Sequence, residues 1–301
     1  MAAPRITLIT PVLNRAGMIT EALQSVALQG YPAVEHIVID GGSTDGTLEI
    51  LRNTPNIQWM SEPDRGPFDA INKGIRMATG EIIGHLNSDD ILLSGALAAV
   101  ADGFARDRSA EATCGGARAV RLLSDGTTRT VRTRSGERIG RHHDWHGVTL
   151  GHPLTNARFF RRSWYRRAGF YDIHYKLSAD RDFLIRSMIL GMRTVPLERV
   201  LYQYRLHPGS LTAETRHEKS LREEYRTIAR SWMIRGDSPE SLRRMAGRWF
   251  AVETAHRLVR LWREKNRHEF AATFMDARET LPGWPFALMR EGLHRATGGL
   301  W

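Results

Sequence analysis

The 301-residue chain holds a single cysteine, Cys114. One thiol excludes an internal disulfide and a multi-cysteine zinc site, and it suits a reducing cytoplasm. No run of about 18 apolar residues occurs, so no membrane-spanning helix is expected. The opening Met1-Ala2-Ala3-Pro4-Arg5 lacks a charged stretch leading into a long apolar one, so no signal peptide is expected. Negative charge is also short: 33 Asp and Glu stand against 43 Lys and Arg, a formal net charge of +10. That balance favours an anionic partner, whether nucleic acid, acidic lipid headgroups or a phosphorylated substrate. Nucleic-acid readers interleave aromatic and basic residues or carry a named motif. Neither is found, so no nucleic-acid partner is expected.

What is present reads as an α/β protein. Ile6–Val12 is a buried first strand that breaks at Pro11, followed by a helix with Ile19, Leu23 and Val26 at helical spacing. His36–Asp40 is a second strand, running into the Gly-rich turn Gly41–Thr47 and a helix at Leu48–Leu51. Ile57–Met60 is a third strand, and a helix through Ala70, Ile71, Ile75 and Met77 precedes a fourth at Glu81–His85. Such alternation signals βαβ units and a parallel sheet. Asp40 and Asp89 fall at or just past strand ends, the edge where open α/β sheets bind ligands. In Leu86-Asn87-Ser88-Asp89-Asp90 the carboxylates suit Mg²⁺ or Mn²⁺ held together with a diphosphate. They equally suit the N-cap of a helix starting near Ser94.

Further on, Thr128–Val131 suggests a hairpin or a mixed addition to the sheet. Arg141-His142-His143-Asp144-Trp145-His146 reads as a polar loop near an anionic substrate, without the ligand spacing of a zinc site. Asp180 and Asp182 open an amphipathic helix, where first-turn acids are commonplace. Thr194–Tyr204 alternates like a final strand. Beyond Thr212, the series Ile228, Trp232, then Met245, Trp249, Val252, then Leu258, Leu261, Trp262 predicts two or three amphipathic helices. They would pack on the rest of the chain or on a second copy in a homodimer. Arginine-rich faces beside Trp249, Trp262, Trp284 and Phe286 would also suit an anionic membrane surface.

With Thr10-Pro11-Val12-Leu13-Asn14, Asp40–Thr47, Ser61–Gly74 and Leu86–Asp90 in that order, residues 4–212 resemble glycosyltransferase family 2. The nearest flavour is the bacterial branch building exopolysaccharide or glycolipid sugars, which shares Ser61-Glu62-Pro63-Asp64-Arg65-Gly66 and Asp69-Ala70-Ile71-Asn72-Lys73-Gly74. The resemblance implies the A-type glycosyltransferase fold, a Rossmann-like α/β domain with a mostly parallel central sheet flanked by helices. Residues 1–212 would be the catalytic domain, with 1–90 the nucleotide-binding and 91–212 the acceptor-binding half, and 213–301 a C-terminal helical extension.

It also implies roles. Thr10, Pro11, Val12, Asn14, Asp40, Asp69, Lys73, Asn87 and Ser88 would bind a nucleotide-diphosphate sugar, a UDP-sugar ahead of a GDP-sugar. Asp89 and His207 would hold Mg²⁺ or Mn²⁺, and Asp180 would be the base of an inverting transfer to a saccharide or lipid-linked acceptor. His152 and Asp182 would stand on the acceptor side. Lys73 also reads as a solvated helix lysine, and His207 as a capping or core histidine. Two departures stand out: Asn87 opens the family's Asp-x-Asp metal motif, and Ala179-Asp180 replaces its Glu-Asp pair. Thr10–Arg15 contains no glycine, which disfavours a sugar nucleotidyltransferase. A weakly active relative or a basic polyanion-binding protein are the remaining alternatives, and the expected location is the cytoplasm or the inner face of the membrane.

Overall fold

A computed structural model describes residues 3–123, 127–136, 145–151, 155–207, 209–210 and 215–287. His152 and the Arg141–Asp144 part of the histidine-rich loop lie outside the described residues. The described residues fall into two compact units, one within Met1–His143 and Pro153–Ala213, the other within Asp144–His152 and Glu214–Trp301.

In chain order the elements are β1 (Ile6–Val12), α1 (Ile19–Ala27), β2 (Val34–Asp40), α2 (Thr47–Asn53), β3 (Gln58–Ser61), α3 (Pro67–Met77) and β4 (Ile82–His85). Then come β5 (Ile91–Leu92), α4 (Ala96–Arg106), β6 (Ala112–Leu122) and β7 (Thr128–Arg134). The short α5 (Trp145–Thr149) belongs to the second unit. A 3₁₀ turn at Thr155–Ala157 leads into β8 (Arg158–Arg161), α6 (Arg162–Ala168), α7 (Ala179–Ile189) and β9 (Thr194–Leu206). The chain continues with α8 (Thr215–Ile234), α9 (Glu240–Arg263) and α10 (Arg267–Thr280).

One sheet runs through the first unit in the order β3-β2-β1-β4-β8-β6-β9-β5, with β7 beside β6. Parallel pairing joins β3, β2, β1 and β4, and again β6 with β9; the remaining neighbours pair antiparallel. This is a mixed α/β architecture of the A-type glycosyltransferase class. β1 is buried along its whole length, as a strand covered on both faces requires. Ile6 and Leu8 join Val100, Phe104 and Leu201 in the larger core, while Val12 packs with Ile19, Leu23, Val38 and Leu51. Two glycines permit the close approaches. A Cβ on Gly74 would sit 2.5 Å from Ile9 Cγ2, so only glycine lets α3 lie this near β1. At Gly84 the Phe159 ring of the paired strand fills the side-chain space.

Helix α7 departs from the amphipathic reading. Ala179, Arg181, Asp182, Phe183, Leu184, Ile185 and Ser187 bury it on nearly every side, and Phe183 meets the rings of Phe160, Tyr165 and Tyr171. In the second unit the middle of α9, from Trp249 to Thr254, is buried all round, with α8, α10 and α5 each packed on the helix. Its polar Glu253 and Thr254 are buried, bonded by Arg222 and Arg226 of α8.

Candidate active site

The candidate nucleotide side begins with the turns that follow β1 and β2. Asp40 ends β2 fully buried. Its Oδ2 accepts from the Gly42 and Ser43 amides, each at 2.9 Å, and from the Ser61 hydroxyl at 2.7 Å; its Oδ1 accepts from the Ser43 hydroxyl at 2.5 Å. Burial alone would raise this carboxyl, but the Ser43 and Ser61 hydroxyls and the two amides outweigh it and hold the pKa below the ordinary value. Ser43 Oγ in turn accepts from the Asn14 amide at 2.7 Å, and Asn14 Oδ1 accepts from the Thr44 amide at 2.8 Å. Asn14 adopts φ 51°, a left-handed conformation that asparagine tolerates. The exposed Asn14 thus laces the two turns together, whereas Thr10, Pro11 and Val12 are buried, Thr10 with its hydroxyl 2.9 Å from the His36 ring.

Beside Asp40 lies a second acidic group. Asp64 accepts from the Gly66 amide at 2.8 Å, and its Oδ2 occupies the space a Cβ on Gly41 would need. Burial raises its pKa, and the charges of Asp69 and Asp40 add to the rise against the pull of Gly66 and Lys73. Asp69 accepts from the Arg65 amide at 3.1 Å. Lys73 pairs with Glu62 at 2.7 Å and donates to the Pro63 carbonyl at 3.0 Å, so it braces the Ser61–Gly66 loop.

The acidic loop after β4 forms no helix cap. Ile91–Leu92 follow it as strand β5, and α4 starts at Ala96 behind Gly95, so the cap expected near Ser94 is not made by Asp89 or Asp90. The two carboxylates part company. Asp89 is half-buried, with Oδ2 3.1 Å from His207 Nε2 and 3.9 Å from Arg15 Nε. Asp90 is buried, accepting from Tyr202 Oη at 2.7 Å, the Arg205 amide at 2.9 Å and Asn87 Nδ2 at 3.0 Å. Burial and then the neighbouring Asp89 charge raise the Asp90 pKa. Asn87 thus donates its side-chain amide to Asp90 and is half-buried, and Ser88 is buried. Arg205 fastens the loop from below, bonding the Asp89 carbonyl, the Met18 carbonyl at 3.2 Å and Glu21 at 2.8 Å.

Asp180 is joined to this loop by a short polar path. The Thr155 hydroxyl donates to Asp180 Oδ2 at 2.7 Å. The adjacent Asn156 donates to Tyr202 Oη at 3.3 Å, and the same oxygen accepts from the Asn87 amide at 3.1 Å. Burial raises the Asp180 pKa, partly offset by Thr155 and Arg181. Asp182, further along the same helical turn, is engaged elsewhere. Arg186 holds it at 2.7 Å and also bonds the Phe170 carbonyl at 2.8 Å.

Comparison with known proteins decides the family. The model of Glycosyl transferase family 2 matches residues 7–169. The chain belongs to glycosyl transferase family 2. It is 32% identical over 192 residues to the PGL/p-HBAD biosynthesis glycosyltransferase of Mycobacterium bovis, covering 62% of this chain and 70% of that protein. Among solved structures, S. aureus TarS 1–349 in complex with UDP-GlcNAc superposes with a TM-score of 0.63 at 18% identity, over 94% of this chain and 81% of that one. The mannosyltransferase PcManGT from Pyrobaculum calidifontis, in complex with GDP-Man and Mn²⁺, gives 0.58 at 18% identity, over 100% of this chain and 88% of the other.

In this glycosyltransferase the candidate site brings in residues that the motifs alone do not announce. Tyr202 sits inside the alternating run of β9, where it reads as an ordinary sheet aromatic; only the pairing of β9 with β5 and β6 brings its hydroxyl to Asp90. Thr155, Asn156 and Arg15 carry no local signal either. Asp64 lies within the Ser61–Gly66 run, and its closeness to Gly41 shows why a glycine follows Asp40.

Proposed function

We propose that this glycosyltransferase is a metal-dependent, inverting enzyme that moves a sugar from a nucleotide diphosphate to a hydroxyl acceptor in glycolipid or polysaccharide synthesis. The observation that carries the reading is the path that runs from the Asn87–Asp90 loop through the Tyr202 hydroxyl to Asn156, and from the adjacent Thr155 to Asp180, linking the phosphate-side loop to the base-side carboxylate.

Asp180 is the base. A carboxylate with a raised pKa accepts a proton from an attacking hydroxyl more readily than an ordinary one, and the Thr155 hydroxyl on Oδ2 and the Arg181 amide on Oδ1, at 2.9 Å, hold it in one orientation. Direct attack at the anomeric carbon with one base inverts the configuration. Retention through a covalent intermediate would need a second carboxylate as nucleophile, and Asp182 is engaged by Arg186. On the donor side Asp40, Asn14 and Asp64 shape the nucleotide pocket, and Arg15 places positive charge 3.9 Å from Asp89, where diphosphate charge would develop.

A divalent cation fits as a shared ligand. Among the described residues no group of three or more His, Cys, Asp or Glu side chains could hold a metal by itself. Asp89 and His207 offer one carboxylate and one imidazole 3.1 Å apart, a set that Mg²⁺ or Mn²⁺ completes with substrate phosphate oxygens. When bound there it would neutralise the leaving diphosphate. Donor panels should include UDP- and GDP-sugars, since the structural relatives named above were seen with UDP-GlcNAc and GDP-Man. The protein would work at the cytoplasmic side of a membrane on a saccharide or lipid-linked acceptor; among the described residues no helix is long and apolar enough to cross one.

The test is a thermal-shift and donor-hydrolysis screen with Mn²⁺ or Mg²⁺, followed by NMR of the transferred anomer. Metal-dependent stabilisation by one nucleotide sugar and an inverted product support the reading. No response to any nucleotide sugar, or a retained configuration, overturns it.

A further inference from the structure

The second unit has its own polar cavity, unrelated to the carboxylates above. It has a volume of about 280 Å³ and lies between α8 and α9. Lys219, Arg222, Arg257, Arg260 and Arg263 line it against Glu218, Glu223 and Glu253. Five permanent cations thus face three carboxylates, and the carboxylates are already spent. Glu223 is shared by Arg257 and, at 2.8 Å, by Arg260; Glu253 takes Arg222 at 3.2 Å, and Glu218 takes Arg222 at 3.0 Å. Lys219 and Arg263 are exposed and pair with no carboxylate among the described residues. Arg260 Nη1 is buried without a hydrogen-bond partner. The charges of Lys219 and Arg263, uncompensated beside the cavity, favour an anion there.

The surroundings say where that anion comes from. Val259, which lines the cavity, is 51% exposed, and Trp262, one helical turn on, is 75% exposed. Of the other aromatics that the sequence sets beside arginine-rich faces, Trp249 and Trp284 are buried at 1% and 8%, while Phe286 is exposed. What remains outward at this end of α9 is Val259, Trp262 and Arg263, a basic and apolar edge of the kind that enters a lipid headgroup layer. A cavity this small has room for a headgroup phosphate and little more.

We propose that the α8–α9 cavity binds the phosphate of an anionic membrane lipid, with Arg257, Arg260, Arg263 and Lys219 around the phosphate and Val259 and Trp262 seated among the acyl-chain ends of the headgroups. The site is built within the second unit, so it stands or falls apart from the transfer chemistry.

The test is co-sedimentation of the full-length protein with vesicles of phosphatidylcholine alone or with about a third phosphatidylglycerol, at several salt concentrations. Binding only to the anionic vesicles, weakened by salt, is expected. Each of Lys219→Ala and Arg263→Ala should weaken it about fivefold, the loss of roughly 1 kcal/mol per basic side chain at a charged surface. Trp262→Ala should weaken it while leaving the salt dependence unchanged. Thermal melts of the same variants, compared with the parent, report that they are folded. Equal binding to neutral vesicles, or anionic-vesicle binding unaffected by Lys219→Ala and Arg263→Ala, overturns the proposal. So does stabilisation by free pyrophosphate with no partition to vesicles, which would mean a soluble phosphate ester is the ligand.

Discussion

Removing one oxygen atom, that of Tyr202, should loosen both halves of the site at once. The hydroxyl is saturated: it donates to Asp90 and accepts from the Asn87 amide and the Asn156 side chain. Tyr202→Phe keeps the buried ring and its contact with Tyr204 but deletes all three bonds. An unpaired buried amide at Asn87 costs about 1–3 kcal/mol, and the lost donor to Asp90 adds about 1 kcal/mol. Because these groups share one network the losses overlap, and a total of about 3 kcal/mol is expected. For a unit of roughly 200 residues that lowers its melting temperature by roughly 6–12 °C. Catalysis should suffer as well, since a shift of about 1 Å in a reacting group costs about 100-fold in rate. The assay pairs thermal melts of the full-length protein with kcat at saturating donor. A Tyr202→Phe protein that melts and turns over as the parent does would refute the linkage.

Other outcomes follow from particular contacts. Burial raises the Asp180 pKa above its unfolded value, so the stability tied to this group is complete below the unfolded pKa of about 4 and is lost as pH rises through the folded pKa. Asp180→Asn should therefore unfold at higher denaturant than the parent at pH 7, the gap closing at acid pH; an unchanged gap across that window would contradict the burial of the carboxylate. By the same shift, kcat/KM of the parent should fall on the acid side above the ordinary carboxylate range. Gly74→Ala should destabilise by about 1–2 kcal/mol, overpacking against Ile9 exceeding the helix-propensity gain, while Gly17→Ala, with open space around it, should be neutral in the same urea titration.

The first half of the sheet is legible in the sequence because its strands are short, continuous apolar runs punctuated by glycine and aspartate. Ile6–Val12, His36–Asp40 and Ile82–His85 could hardly be anything else in that order. The turns after them carry their chemistry within a few residues, so Asp40, Asn14 and Asp89 announce themselves. The second half is assembled by distant pairing. Nothing near Tyr202 in the chain reveals that β9 will lie between β6 and β5, and nothing near Thr155 points to Asp180. Trp249 and Trp284 show the matching limit in the helices. The sequence marks them as apolar but not what covers them; in the second unit Tyr225 of α8 meets Trp249 and Phe274 of α10 meets Trp284. Residues 145–151 join that unit despite lying in the middle of the chain, which no composition shift near residue 212 foretells.

The measurement that bears most directly on this chemistry is the rate of sugar transfer by Asp180→Asn at saturating donor, with donor affinity followed in parallel. If Asp180 takes the acceptor's proton, transfer falls at least about 100-fold, the ordinary worth of a positioned base, while donor affinity stays within about threefold of the parent. Transfer within about tenfold of the parent would show that another group does that work, and the assignment of the site would have to be abandoned.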